Sequence, residues 1–158
     1  MVPVTPDTFR RACAEFATGV CVATVFDGHP LGLTVNSFTS VSLRPPVILI
    51  CLDREANVTE CFRRQHIFAV NILAQDQKEI SSTFAWKPDD RFEGLAWHRT
   101  ERGAPVLEGA LAVIECRLIR VLPVGDHDVL FGEALAAAVR GGEPLVYFRS
   151  RYAALSRG

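Results

Sequence analysis

Apolar residues recur along this chain mostly in short runs of strand length, and only a few stretches carry the three-to-four-residue spacing of a helix. Phe9, Ala12, Cys13, Phe16 and Ala17 would share one helical face. Thr5 stands where it can cap that helix, Pro6 sits in the first turn, where a missing N–H is harmless, and Gly19 ends it. A short helix is predicted from Asn57 to about Arg64, and a longer one over 74–86, where Leu73, Gln77, Ile80 and Phe84 form a stripe. Residues 20–26 are rich in β-branched side chains, Asp27-Gly28 is a turn, and over 31–38 Leu31, Leu33 and Val35 alternate with Gly32, Thr34 and Asn36, which predicts a hairpin. Residues 47–52, behind Pro45-Pro46, are a continuous apolar run and predict a strand buried on both faces. Further strands are predicted over 68–73, 110–122, 129–139 and 144–148. Closely spaced strands with few helices predict a mainly β fold, an antiparallel barrel closed or nearly closed, rather than a parallel βαβ sheet.

At 158 residues the chain has the length of one domain, and residues 1–158 are expected to form a single unit. Seventeen basic residues against 18 acidic ones give a net charge of -1, so there is no field to hold a polyanion, and nucleic acid is excluded as an expected partner. A hydrophobic content of 49% suggests that part of the surface is covered by a partner. Cys13, Cys21, Cys51, Cys61 and Cys116 are spread out, with no C-x-x-C pair, and are expected to be reduced core residues rather than a redox pair or metal ligands. The first nine residues have no secretory pattern, and no stretch nears the ~20 apolar residues that cross a bilayer, so a cytoplasmic protein without a membrane is expected.

Several common nucleotide and hydrolase devices are missing: there is no G-x-G-x-x-G after a strand, no G-x-x-x-x-G-K-[ST], no G-x-S-x-G and no H-E-x-x-H, which excludes a Rossmann or P-loop enzyme. Instead, Thr34, Asn36, Ser37, Thr39, Ser40 and Ser42 crowd one strand and the turn after it. Neutral donors and acceptors in a row can address the edge of a flat heterocycle; they can equally be ordinary turn chemistry. Asn57 and Thr59, after the buried run that ends at Asp53, stand where free N–H groups could meet a phosphate, or where Asn57 simply caps a helix. His127, in Gly125-Asp126-His127, reads as a surface histidine or as a functional one, and Asp89-Asp90-Arg91-Phe92 as a solvated loop.

Taken in order, several segments are joined by these clusters: Phe16-Ala-Thr-Gly-Val20, Gly32-Leu-Thr-Val-Asn-Ser-Phe-Thr-Ser-Val-Ser-Leu-Arg-Pro-Pro46, Phe68-Ala-Val-Asn-Ile-Leu73 with Gln77, Ala110-Leu-Ala-Val-Ile-Glu-Cys116, Gly125-Asp-His127 and Phe131-Gly-Glu133. Together they resemble the short-chain flavin reductases, the reductase components of two-component flavin-dependent monooxygenases. The resemblance spans most of the chain. It implies an FMN-binding split barrel, a homodimer, and hydride transfer from NADH or NADPH to FMN or FAD, with the reduced flavin supplied to a partner monooxygenase. It places Thr34, Asn36, Ser37 and Ser40 around the flavin ring and ribityl chain, Leu52 and Asp53 beside them, Asn57 and Thr59 at the phosphate and Phe84 at the outer portion. It places His127 and Tyr152 on the nicotinamide side. Two departures fall there too: Arg149-Ser150-Arg151 where the family commonly has glycine, and Asp128 where it often has threonine.

Hydride transfer between two cofactors needs neither a protein nucleophile nor a metal, so no residue is assigned as an acid or base. A split-barrel flavin carrier or sensor without turnover is the alternative reading, and a related oxidase acting on a vitamin phosphate would need a basic cluster that the sequence lacks.

Overall fold

A computed structural model describes residues 2–156. In chain order its elements are helix α1 (Pro6–Ala14), strands β1 (Thr18–Gly19), β2 (Cys21–Asp27), β3 (His29–Val35), β4 (Thr39–Leu43) and β5 (Pro46–Asp53), helix α2 (Thr59–Gln65) and strand β6 (Ile67–Ile72). A 3-10 turn (Gln75–Gln77) then runs into helix α3 (Lys78–Trp86), and strands β7 (Trp97–Arg99), β8 (Pro105–Leu107), β9 (Ala112–Val124), β10 (His127–Val139), β11 (Val146–Phe148) and β12 (Arg151–Ala153) follow.

Seven strands form the main sheet, in the order β3-β2-β6-β9-β10-β5-β4, and every pairing in it is antiparallel. Its two edges, β3 and β4, are consecutive in sequence. Six strand spacings would put the edges of a flat sheet about 29 Å apart, whereas the four Cα steps from Val35 to Thr39 reach at most about 14 Å. The sheet therefore curls, bringing the Val35 end of β3 near the Thr39 end of β4. The ladder does not close; instead Ser37, in the link between the edges, accepts from the Cys51 N–H at 2.9 Å and donates to the Cys51 carbonyl at 3.0 Å. The predicted barrel is thus a split one, joined at its seam by a side chain.

Alternation along β2 distributes two cores. Cys21, Ala23 and Val25 face the barrel interior with Ile50, Leu52, Phe68 and Leu130, and α2 closes that space with Cys61 and Phe62. Val20 and Val22 face outward onto a second core with Leu73, Phe84, Phe92 and Leu107, which α3 and the β7–β8 hairpin cover. β2 is consequently buried on both sides. At the crossing of β10 and β6, a Cβ on Gly132 would lie 2.6 Å from the Phe68 ring and 2.9 Å from Cys116 Cβ, so only glycine fits. The hairpin is tied to the sheet by buried polar groups: Thr24 donates to the Pro105 carbonyl at 2.6 Å, and Asn71 donates to Thr24 and accepts from the Leu107 N–H.

Several sequence expectations change. α1 is capped by Thr5, reciprocally with Thr8, but ends at Ala14, and none of its residues is buried; Phe9 is 62% exposed. Cys13 is exposed rather than in the core, whereas Cys21, Cys61 and Cys116 are buried. β5 is fully buried on one face only, because Leu49 and Cys51 on the other are half-exposed. Strands β1, β4, β7, β8 and β12 were not predicted, being two to five residues long. Among the described residues no helix is long and apolar enough to cross a membrane.

Candidate functional site

In the β10–β5 register His127 stands opposite Asp53, and Asp128 opposite Leu52. Paired residues share a face, so the Asp53 and His127 side chains lie on the outer face while Leu52, 0% exposed, points into the barrel and can offer only its backbone outward. Beyond β5 the chain folds over Asp53. The carboxylate accepts from the Glu55 N–H at 2.9 Å, and the Asp53 carbonyl accepts from the Ala56 N–H and, at 2.7 Å, from the Thr59 hydroxyl. Thr59 is thereby buried, with its hydroxyl engaged. Asn57 does not cap α2, whose first turn follows Val58 without a side-chain cap. Its amide is exposed and forms no side-chain hydrogen bond within the described residues.

Three segments, residues 29–32, 55–58 and 88–93, enclose a cavity of about 920 Å³ at Asn57. Its third wall is not the solvated loop expected. Arg91 donates to the carbonyls of Lys87 and Gly32 at 2.6 and 2.7 Å, and Phe92 is buried edge-on against Phe84 at 4.9 Å. Burial lowers the Arg91 pKa from its ordinary value.

The hydroxyl-rich segment divides. Asn36 is exposed, with its amide unpartnered among the described residues, and Ser37 is engaged at the seam. Ser40, in edge strand β4, pairs with Ile48 and by register lies on the opposite face from Asp53. Thr34 donates to the Ser81 carbonyl of α3 at 2.6 Å. Tyr152, from β12, meets the same residue: its hydroxyl is 2.8 Å from Ser81 Oγ. Phe84, 1% exposed, fills the second core. Asp53, Asn57, Thr59 and His127 therefore form one group around β5 and β10, and Thr34, Phe84 and Tyr152 another around α3, with Asn36 and Ser37 on the strand link between them.

His127 is held by its neighbour, Nδ1 lying 2.7 Å from Asp126 Oδ1. That hydrogen bond keeps the Asp126 carboxyl below its ordinary pKa. With Nδ1 engaged, Nε2 is the nitrogen free to face a ligand. Sequence reasoning passed over Arg54. Its backbone N–H donates to the Asp126 carbonyl at 3.0 Å and its guanidinium reaches the Gly125 carbonyl at 3.5 Å, joining the two loops of the site. Nothing in the spacing of Asp53-Arg54-Glu55 signals that contact, because its partner lies more than 70 residues away.

Chemically, the cavity presents the Asn57 amide among Glu55, Asp89, Asp90, Glu93 and Arg91, while the Asn36 amide and the oriented His127 imidazole lie outside its lining; among the described residues no nucleophile is paired to a base. It suits the binding of flat, polar-edged cofactors better than hydrolysis.

Comparison with known proteins agrees. A model described as a flavin reductase-like domain matches residues 13–156. Actinorhodin polyketide dimerase of Streptomyces coelicolor is 44% identical over 149 residues, covering 92% of this chain and 84% of that protein. The reductase subunit HsaB of a flavin-dependent monooxygenase from Mycobacterium tuberculosis is 38% identical over 154 residues, covering 94% and 82% respectively. Among solved structures, the NADH:FAD oxidoreductase SgcE6 of Streptomyces globisporus superposes with a TM-score of 0.93 at 35% identity, over 99% of both chains. That protein has also been solved with NAD and FAD fragments.

Proposed function

The chain belongs to the flavin reductase-like family and is an NAD(P)H:flavin oxidoreductase of the kind that supplies reduced flavin to a monooxygenase, and we propose that it works by placing its two cofactors around the β5–β10 strand ends. The observation that carries this placement is the register that sets His127 beside Asp53, next to the cavity at Asn57. The residues suit a flavin: Asn36 and Asn57 have free amides, and the backbone of Leu52 and Asp53 borders the outer face. We assign Asn36, Ser37 and the Leu52–Asp53 backbone to the ring and ribityl chain, with Thr34 supporting them from behind and Ser40 at the β4 edge. Asn57 and Thr59 are assigned to the phosphate end, Asn57 through its amide and Thr59 by holding the loop through its bond to the Asp53 carbonyl. Phe84 contributes by fixing the cavity wall through Phe92. His127 is assigned to the nicotinamide, and Tyr152 acts by holding α3 through Ser81.

Dihydronicotinamide and flavin, when bound, supply the hydride donor and acceptor between them. The chain's work is orientation and electrostatics. With flavin bound, Asn36 would offer its amide to the polar edge of the ring and would stabilise negative charge there. His127 presents Nε2 with Nδ1 fixed by Asp126, which limits the orientations open to the nicotinamide. The same reading includes a homodimer in the cytoplasm, a single domain across the chain, and no nucleic-acid or membrane partner.

The test is NADH oxidation followed at 340 nm with FMN, with FAD or with neither, repeated with NADPH. Flavin-dependent turnover well above the rate without protein is expected. Flavin binding with no turnover in any pairing would leave a carrier or sensor instead. Asn36→Ala is expected to weaken flavin binding about tenfold, measured by fluorescence quenching; an unchanged affinity and reduction rate would remove this segment from the site.

A further inference from the structure

Asp128 has no part in the reading above, yet it is the most deeply buried charged side chain beside the site, 1% exposed on the inner face of β10. Oδ2 accepts from Arg63 Nε at 3.0 Å and from Nη2 of the same guanidinium. Among the described residues Oδ1 has no hydrogen-bond partner; it lies 3.7 Å from Arg54 Nε. Both arginines and Asp128 line a cavity of about 310 Å³ behind the 53–59 loop. Burying a carboxylate costs more than filling the same space with an apolar residue, so a buried pair is weak evidence of stabilisation in itself. What this charge adds is geometric, because the two cations it holds belong to different parts of the site.

Arg63 lies in the last turn of α2, and the first residue of that helix, Thr59, is bonded to the Asp53 carbonyl. Arg54 is bonded through its backbone to Asp126 and through its guanidinium to Gly125. Asp128 itself follows His127 directly. One carboxylate therefore connects the loop assigned to the flavin phosphate with the turn assigned to the nicotinamide. We infer that Asp128 is a positioning residue: through Arg54 and Arg63 it locks the turn carrying His127 against the 53–59 loop, so that the imidazole and the flavin loop keep one relative placement. The inference rests on the assignment of His127 to the nicotinamide.

The experiment measures KM and kcat for NADH at saturating FAD or FMN, whichever turns over faster, in the wild type, Asp128→Asn, His127→Ala and the double variant. Asp128→Asn keeps the shape and one acceptor for Arg63 but removes the charge. His127→Ala is expected to raise KM. Asp128→Asn is expected to raise it about fivefold, more than kcat falls, and to add less than about twofold once His127 is gone. The same multiplication of KM in both backgrounds would overturn the positioning role alone, as would an Asp128→Asn enzyme with wild-type KM. A KM indifferent to His127→Ala would overturn the nicotinamide assignment and this inference with it. Should Asp128→Asn lose its fold, Arg54→Gln tests the same link from a half-exposed side chain. It keeps the backbone bond to Asp126, and about a twofold rise that vanishes without His127 is expected, while an unaltered KM would overturn the inference.

Discussion

Burial pushes the thiols of Cys21 and Cys116 up to about 12, whereas Cys13 stands exposed on α1 and belongs to neither core. The thiolate is the reactive form, so these positions differ in chemistry although nothing in their immediate sequence separates them. Native protein treated with a thiol reagent at pH 8 is expected to label Cys13 readily and to label Cys21 and Cys116 only after unfolding, as peptide mapping would report. Labelling of Cys21 at the rate of Cys13 would contradict the burial. The same shifts carry a pH dependence. A thiol whose folded pKa lies above its ordinary value of 9.0 stabilises the fold fully below that pH, and the contribution is lost as pH rises from there toward 12. Wild-type urea midpoints should accordingly fall above pH 9, and fall less in Cys21→Val.

At the scale of elements, the seam at Ser37 decides whether the curled sheet stays curled. Cys51 has its β10 neighbour, Val129, on one side, and on the other Ser37 takes up its N–H and its carbonyl. Ser37→Ala leaves both groups without that partner and is expected to cost about 2 kcal/mol in urea denaturation. Ser40→Ala, three residues on and without a side-chain bond, should stay within about 0.5 kcal/mol. Equal stabilities would mean that the seam does not hold the barrel. This contact also marks where sequence reading stops. The strands that form β2, β3, β5, β6, β9 and β10 were legible because their alternation and β-branched content are local properties. β1, β4, β7, β8 and β12 were not, because each is too short to show an alternation; β4, β7, β8 and β12 pair with a strand adjacent in sequence, and β1 with the remote β11. The site divided in the same way. Its polar residues stood out as clusters, but whether a hydroxyl is free or engaged depends on distant carbonyls: Thr34 and Thr59 proved to be tied, and Asn36 and Asn57 open. Arg91 and Phe92 read as loop residues because their partners, Gly32 and Phe84, are remote.

For the whole molecule, the outstanding feature is apolar surface that a monomer leaves uncovered. β6 pairs with β9 only as far as Arg117, and past Leu118 no strand among the described residues lies beside the outer edge of β9, although β10 continues on its inner side. That free edge carries Ile119 and Val124, each at least 50% exposed, and Leu122 at 40%, beside a groove formed by Arg63, His66, residues 118–121 and Pro123. An unpaired, apolar edge of this length invites association unless something covers it. A second copy is the simplest cover, because a two-fold axis lets the same patch meet itself. The homodimer we propose should then have twice the 17.4 kDa chain mass in size-exclusion chromatography with light scattering. Charging the edge with Ile119→Lys and Leu122→Glu together should return it to the single-chain mass, with the far-ultraviolet circular dichroism retained, because both side chains are exposed in the monomer and support neither core. If the wild type already runs at one chain mass, the homodimer is wrong; if the charged variant stays at two, the contact lies on another surface, and the exposed phenylalanines around α1 become the next to substitute.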